Sequence, residues 1–333
     1  MGFQPKQSLD EQVIVITGAS SGIGLATARL ACEAGAKVVI AARSAEIERI
    51  ADELRTSCAG SVEPVIADVG VEDDVRRIAA RAIERFGRID TWINNAGVSV
   101  YGRSIDVPIE DMRELFDTDF WGVVHGSRIA IEHLRDEGGT LINVGSVVSD
   151  RAIPLQGAYS AAKHAVKGFT DALRMELEHD RLPIQVTLIK PATIDTPYFA
   201  HAKNHLDEGV PAAPPPVYAP EAVARTMLRC ATRPTREVAV GMGGRVQFVL
   251  ARLAPGLADK LMERALFGPQ IRSTPHEART EGPGEERGDH QGMVLQRSAY
   301  AELRTWPVLA GIAAGIGAAM AAIGASRLAS RSA

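Results

Sequence analysis

The chain predicts an α/β protein built on an open, doubly wound parallel sheet, and three observations support that class. Short apolar runs rich in Val and Ile alternate with longer segments of helical period from about residue 12 to 240. Those runs lack the in-and-out alternation of a half-exposed strand, so both of their faces are expected to be covered, as in a sheet with helices on each side. The composition of the 333 residues, 46% hydrophobic and 23% charged, is that of a folded chain able to bury a sizeable core.

Taken in order, Val13–Thr17 is the first strand, ending in Gly18, Ala19, Ser20, Ser21, Gly22, Ile23 and Gly24 before a helix that starts near Leu25. Lys37–Ala42 and residues 62–67 are the next two strands. Between the third and fourth strands, Val75, Ile78, Ala79, Ala82, Ile83 and Phe86 fall on one face of a helix over 71–86. Residues 89–94, 140–145 and 184–189 and the run Glu237–Val240 complete the strands. Successive strand-helix-strand units of this kind connect by right-handed crossovers.

Such sheets bind ligands at the carboxyl ends of their strands, near the point where strand order reverses. The loops after the strands are therefore the candidate site. One of them, 193–220, is long and carries Pro197, Pro211, Pro214, Pro215, Pro216 and Pro220, the profile of a substrate lid. Phe199, Val210, Val217 and Tyr218 within it are expected to give an apolar lining.

Charge and cysteine content narrow the function. With 37 Lys and Arg against 41 Asp and Glu the net charge is -4, which lacks the basic footprint of a nucleic-acid binder. Cys32, Cys58 and Cys230 are widely spaced and form no CxxC pair, which argues against a disulfide framework and a structural zinc site. No apolar stretch precedes Val13, so a signal peptide is not expected. A reducing, cytoplasm-facing environment follows.

The composition changes after Gly268. Residues 269–304 are expected to be a flexible linker, because 269–289 is rich in Pro, Gly, Glu and Arg. Residues 306–325 are twenty uncharged positions, with Arg304 before and Arg327 after, long enough to cross a hydrocarbon core. Eight are Ala and four are Gly, so the drive to insert is weaker than in a Leu-rich span. The expected organisation is a catalytic domain at 8–268, the linker, and a candidate membrane-anchor helix at 305–326 that leaves the domain on the cytoplasmic side.

Several side chains carry chemistry by position. The turn from Gly18 to Gly24 is a phosphate cradle, since glycines let a pyrophosphate approach the amides and the positive end of the following helix. Tyr159 and Lys163 are four apart on a helix whose Ala162, Ala165, Val166, Phe169, Ala172 and Leu173 trace an apolar stripe, so they share a face. A phenol beside an ammonium is suited to give or take a proton at a carbonyl oxygen.

The spacing TGxxxGxG at Thr17 to Gly24, the NNAG of Asn94, Asn95, Ala96 and Gly97, the YxxxK of Tyr159 and Lys163, and Ser146 thirteen residues before Tyr159 together resemble the short-chain dehydrogenase/reductase family. The resemblance covers roughly residues 10–265 and implies a single Rossmann-like domain, dimeric or tetrameric through helices around 108–134 and 157–179. It implies hydride transfer between a nicotinamide and a carbonyl or secondary alcohol carbon. Ser146 would hold the substrate oxygen, Tyr159 would act as acid or base, and Lys163 would support Tyr159 and the ribose. Cofactor contacts are implied for Gly18, Ser20, Ser21, Gly22, Ile23, Gly24, Asp68, Val69, Asn95, Ala96, Gly97, Pro191, Ile194 and Thr196.

Ala42 stands where relatives that prefer NAD usually have Asp, and Arg43 follows it, able to pair with a 2'-phosphate. NADP is therefore the expected cofactor, with Ser44 as a helper. Two departures from the family pattern stand out. Asp119 occupies the place of an Asn whose main chain serves a proton relay, and Pro191, Ala192, Thr193, Ile194, Asp195, Thr196 replace PGxxxT. His201 and His205 have helical metal-ligand spacing but no HExxH pattern, so they are expected on the lid surface and no metal is expected. The substrate is expected to be a small-molecule carbonyl or alcohol, apolar and lipid- or steroid-like. The alternative is an NADP-binding sensor or scaffold with little turnover, for which Asp119 is the sequence argument.

Overall fold

The computed structural model describes residues 8–58, 60–241, 255–273 and 284–305. Its core is a seven-stranded parallel sheet of β1 (Val13–Thr17), β2 (Lys37–Ala42), β3 (Ser61–Ile66), β4 (Thr91–Asn94), β5 (Gly139–Val144), β6 (Ile184–Pro191) and β7 (Glu237–Val240). Across the sheet the order is β7-β6-β5-β4-β1-β2-β3. Strand β1 pairs with β2 on one side, Val13 opposite Lys37, and with β4 on the other, Ile14 opposite Thr91. The order reverses between β1 and β4, and that is where the sequence places the glycine turn and the NNAG segment.

The helices are α1 (Gly22–Glu33), α2 (Glu46–Ser57), α3 (Glu72–Phe86), α4 (Ile109–Phe116), α5 (Gly122–Leu134), α6 (Gly157–His179) and α7 (Pro220–Thr232). Alternate residues of each strand feed opposite faces of the sheet. Ile14, Ile16, Val38 and Ile40 pack with Ile47 and Ile50 of α2 and Val223 and Met227 of α7. Val15, Val39 and Ala41 pack on the other face with Val75 and Ile78 of α3, Ile129 of α5 and Leu173 of α6. Burial on both faces explains the continuous apolar strands.

The helix expected from residue 108 to 134 is interrupted. A π-helical turn, Asp117–Trp121, joins α4 to α5, its Gly122 N–H bonding to the Asp117 carbonyl. Such single turns widen a helix locally and frequently sit at functional sites. This one carries Asp119.

The long loop after β6 is organised by short pairings. Lys203–His205 runs parallel to Val100–Gly102, and Val210–Pro211 runs antiparallel to Ile271–Arg272. Val217–Tyr218 lies between Thr193–Ile194 and Val294–Leu295 in a small parallel sheet.

Over its described parts, the segment expected as a linker at 269–304 is packed on the domain. Gln270 is fully buried; its Oε1 accepts from Gln156 Nε2 at 2.6 Å and its Nε2 donates to the Pro154 carbonyl at 3.1 Å. Ala301, on a helix at Ala299–Thr305, joins the core. The segment attaches through main-chain hydrogen bonds and closely approaching glycines, which a count of apolar residues does not register. Residues 306–325 lie outside the described residues. Among the described residues no helix is long and apolar enough to cross a membrane.

One disulfide is present, between Cys32 at the end of α1 and Cys58 just past α2, with Cα atoms 5.5 Å apart. The cysteine spacing argued against a disulfide framework; the crossover through β2 brings these two chain ends together all the same. Cys230 is free and buried.

Candidate active site

At the carboxyl end of the sheet lies a cavity of about 480 Å³, lined by every residue expected from the sequence as a catalytic or cofactor contact. The end formed by the glycine turn is built by close backbone approach. Gly18 has φ +65, and a Cβ there would fall 2.5 Å from Ala96 Cα. A Cβ on Gly24 would fall 2.1 Å from the Gly18 carbonyl oxygen and 2.6 Å from Asn95 Nδ2. No side chain fits at either position, so the turn lies flat against the NNAG segment.

Asn95 fastens the two together, its Nδ2 donating to the carbonyls of Thr17 at 2.9 Å and Gly18 at 3.1 Å. The Thr17 hydroxyl accepts from the amides of Asn95 and Ala96 at 3.1 and 3.2 Å. Asn94 faces the opposite way, into the core, where it bonds Asn143 at 2.8 Å and accepts from Trp92 Nε1 at 2.7 Å. Of the two asparagines, Asn95 alone reaches the cavity.

Ala42, Arg43, Ser44, Asp68 and Val69 line the far end, beyond β2 and β3. Arg43 is exposed and forms no ion pair among the described residues. Asp68 Oδ1 accepts from the Gly70 amide at 2.9 Å, which shapes its loop.

Ser146, Tyr159 and Lys163 converge on the other end. Ser146 follows β5; its Oγ accepts from the Val148 amide at 3.2 Å and donates toward the Pro191 carbonyl at 3.5 Å. Tyr159 and Lys163 project from the first turns of α6, with Lys163 Nζ 5.7 Å from the Tyr159 ring centre. Lys163 is 3% exposed and donates to the Val144 carbonyl at 3.2 Å.

Asp119 is the departure that the structure explains. Its carboxylate is fully buried, with Oδ1 accepting from the Val98 amide at 2.7 Å and Oδ2 3.2 Å from Lys163 Nζ. Burial alone would lower the Lys163 value, but the Asp119 carboxylate, with Tyr159, more than reverses this and leaves it above 10.5. Asp119 is thus the buried counter-charge of Lys163.

The two histidines go separate ways. His201 lines the cavity, whereas His205 Nε2 meets Asp111 at 2.7 Å on the neighbouring surface. Phe199 lines the cavity as expected, but Val217 and Tyr218 are buried in the small sheet and Val210 pairs with Arg272, so none of these three lines it. Sequence reasoning missed Tyr198, although it stands beside Phe199 in the same lid. Its ring lies 5.9 Å from that of Tyr159 and 5.6 Å from that of Phe199, and its hydroxyl donates to the Val98 carbonyl at 3.3 Å. Burial pushes the Tyr198 hydroxyl far up and keeps it neutral. Tyr198 and Phe199 thus form an aromatic wall beside Tyr159, and the buried Tyr101 ring packs behind Phe199 at 6.4 Å.

A glycine turn shares one cavity with a Ser, a Tyr and a Lys at the carboxyl end of a parallel sheet. The chain belongs to the short-chain dehydrogenase family, which matches residues 12–207. An "Uncharacterized oxidoreductase YxnA" of Bacillus subtilis is 45% identical over 93% of this chain and 90% of its own length. An "11-beta-hydroxysteroid dehydrogenase A" of Sesamum indicum is 33% identical over 68% of this chain and 67% of its own. Among solved structures, an alcohol dehydrogenase of the archaeon Thermococcus sibiricus, complexed with 5-hydroxy-NADP, superposes with a TM-score of 0.61 at 26% identity. It covers 69% of this chain and 95% of its own. A 3-ketoacyl-(acyl-carrier-protein) reductase of Brucella melitensis, complexed with NADH, superposes with a TM-score of 0.60 at 27% identity, covering 70% and 98%.

Proposed function

We propose that this protein is an NADP-dependent oxidoreductase that interconverts a carbonyl and a secondary alcohol on an apolar, lipid- or steroid-like substrate. The observation that carries the reading is the convergence of Ser146, Tyr159 and Lys163 on the cavity whose other end is the glycine turn. The residues suit a dinucleotide, because the flat turn at Gly18 and Gly24 leaves room for a pyrophosphate where any side chain would intrude. Gly18 to Gly24, Asn95, Ala96 and Gly97 would hold its phosphates and ribose, Asp68 and Val69 its adenine, and Pro191, Ile194 and Thr196 its nicotinamide end. When bound, the nicotinamide supplies or accepts the hydride.

The chain's own residues handle the oxygen and its proton. Tyr159 Oη gives a proton to the carbonyl oxygen during reduction and takes it back during oxidation. The Ser146 hydroxyl donates a hydrogen bond to the same oxygen and holds it in place. Lys163, fixed by Asp119 and the Val144 carbonyl, keeps a positive charge beside the phenol. The rings of Tyr198 and Phe199 on the cavity wall, backed by Tyr101, favour an apolar substrate, and the hydroxysteroid dehydrogenase among the relatives supports the same class.

Arg43, with Ala42 before it, supports NADP over NAD. The helices at 109–134 and 157–179 support a dimer or tetramer by analogy with the family.

The test is turnover of NADPH with long-chain or polycyclic ketones set against small polar ones. Tyr159→Phe is expected to lower turnover by about a hundredfold to ten-thousandfold while NADPH affinity is kept. Preference for small polar ketones would remove the apolar substrate, and undiminished turnover in Tyr159→Phe would remove the assigned acid.

A further inference from the structure

We infer that residues 284–290 form a strap that holds the cofactor end of the cavity closed, with the Arg29–Glu286 pair as its fastening. The inference rests on the dinucleotide reading above. It starts from a contact across the cavity wall: a Cβ on Gly22 would lie 3.1 Å from Thr196 Cβ, so the glycine turn touches the loop that follows β6. Both residues line the cavity.

The strap bonds to each side of that contact. On the glycine turn, the Gly284 amide donates to the Ser20 carbonyl at 2.8 Å and the Gly22 amide donates to the Glu285 carbonyl at 2.9 Å. On the facing loop, Gly288 lies so near that a Cβ would fall 2.6 Å from the Thr196 carbonyl oxygen, and the His290 amide donates to Asp195 Oδ1 at 3.3 Å. Opening this wall parts Gly22 from Thr196 and breaks strap bonds on one side or the other.

Arg29 and Glu286 set how firmly the strap is held. Arg29 Nε and Nη2 donate to the two oxygens of Glu286 at 2.5 and 2.8 Å, a bidentate pair. Arg29 sits on α1, whose first residue is Gly22, so the pair ties the strap to the same rigid helix that carries the turn. Its side chains are 31% and 18% exposed, enough to substitute without cutting into the core. Bidentate charge-assisted bonds are the stronger class and fix geometry as well as energy. Arg29 and Glu286 are therefore positioning residues for cofactor retention. In enzymes where release limits the cycle, such contacts set the turnover rate.

The experiment is a stopped-flow displacement of NADPH from the full chain by excess NADP, followed by nicotinamide fluorescence. It compares wild type with Arg29→Glu, Glu286→Arg, Glu286→Gln and the exchanged pair. The single charge reversals are expected to speed release about tenfold, with association unchanged, and the exchange to restore it to within about twofold. Glu286→Gln, which keeps the shape and loses the charge, is expected between the two. Wild-type release rates in all the single variants would overturn the strap while leaving the dinucleotide reading intact. If the wild-type chain binds no NADPH, that reading falls and the strap falls with it.

Discussion

The Asp119 carboxylate, on the π turn Asp117–Trp121, lies 3.2 Å from the Lys163 ammonium in a fully buried position. Where the family has a neutral amide, this chain has a charge that answers the lysine of its YxxxK motif.

Removing that charge unbalances the site. Asp119→Leu, which strands both the Lys163 ammonium and the Val98 amide, is expected to cost about 3–5 kcal/mol of stability. Asp119→Asn keeps an acceptor for Val98 and is expected to cost less. The Asp119 carboxylate holds the Lys163 ammonium above its ordinary range, so on the alkaline side the contribution of the pair is present below pH 10.5 and is lost as the pH climbs through the raised value; burial raises the Asp119 carboxyl as well, so on the acid side the pair is lost as that group is protonated. Denaturant unfolding of wild type and Asp119→Asn should therefore differ most between these two ranges and converge only as the pH climbs through the raised Lys163 value. Curves separated by the same amount across the alkaline range would mean that the carboxylate does not support the ammonium.

Arg43 stands exposed at the end of the cavity beyond β2, directly after Ala42, where the proposed function puts the adenosine. Arg43→Ala is expected to weaken NADPH binding about tenfold or more through loss of a charge-assisted phosphate contact, and to leave NADH binding within about twofold. Fluorescence titration with each nucleotide decides it. An equal loss for both would make Arg43 a general electrostatic residue without a role in nucleotide choice.

The Cys32–Cys58 disulfide closes a loop containing β2 and α2, with 26 residues of separation. Closing a loop of this size in the unfolded chain is worth about 3 kcal/mol on the chain-entropy account. Cys58→Ser, or treatment with a reductant, should lower the denaturation midpoint, and the reductant should have no further effect on the variant. A wild-type midpoint insensitive to reductant would show that the bond contributes nothing.

The chemistry-bearing residues were readable because they fall in short local patterns. Gly18 to Gly24 is a strand-to-helix turn, and Tyr159 and Lys163 are one helical turn apart, so the chain geometry alone puts each group together. The strands were readable to within two residues at either end because Val and Ile runs buried on both faces leave few alternatives. Tyr198 was not singled out, since an aromatic residue in a Pro-rich loop has no period to reveal which wall it joins.

What the sequence determined by itself was the sheet, the glycine turn and the Tyr159–Lys163 pair, which follow from contacts between near neighbours or from periodicity, with Ser146 added by the family resemblance. The tertiary structure decided the rest. It paired Cys32 with Cys58, set Asp119 against Lys163 across two helices, and laid residues 284–290 over a glycine turn more than 250 positions earlier in the chain. Those relations depend on where the backbone returns in space, and main-chain hydrogen bonds of the kind that hold the strap can be made by almost any residue, so they leave no mark in composition or spacing.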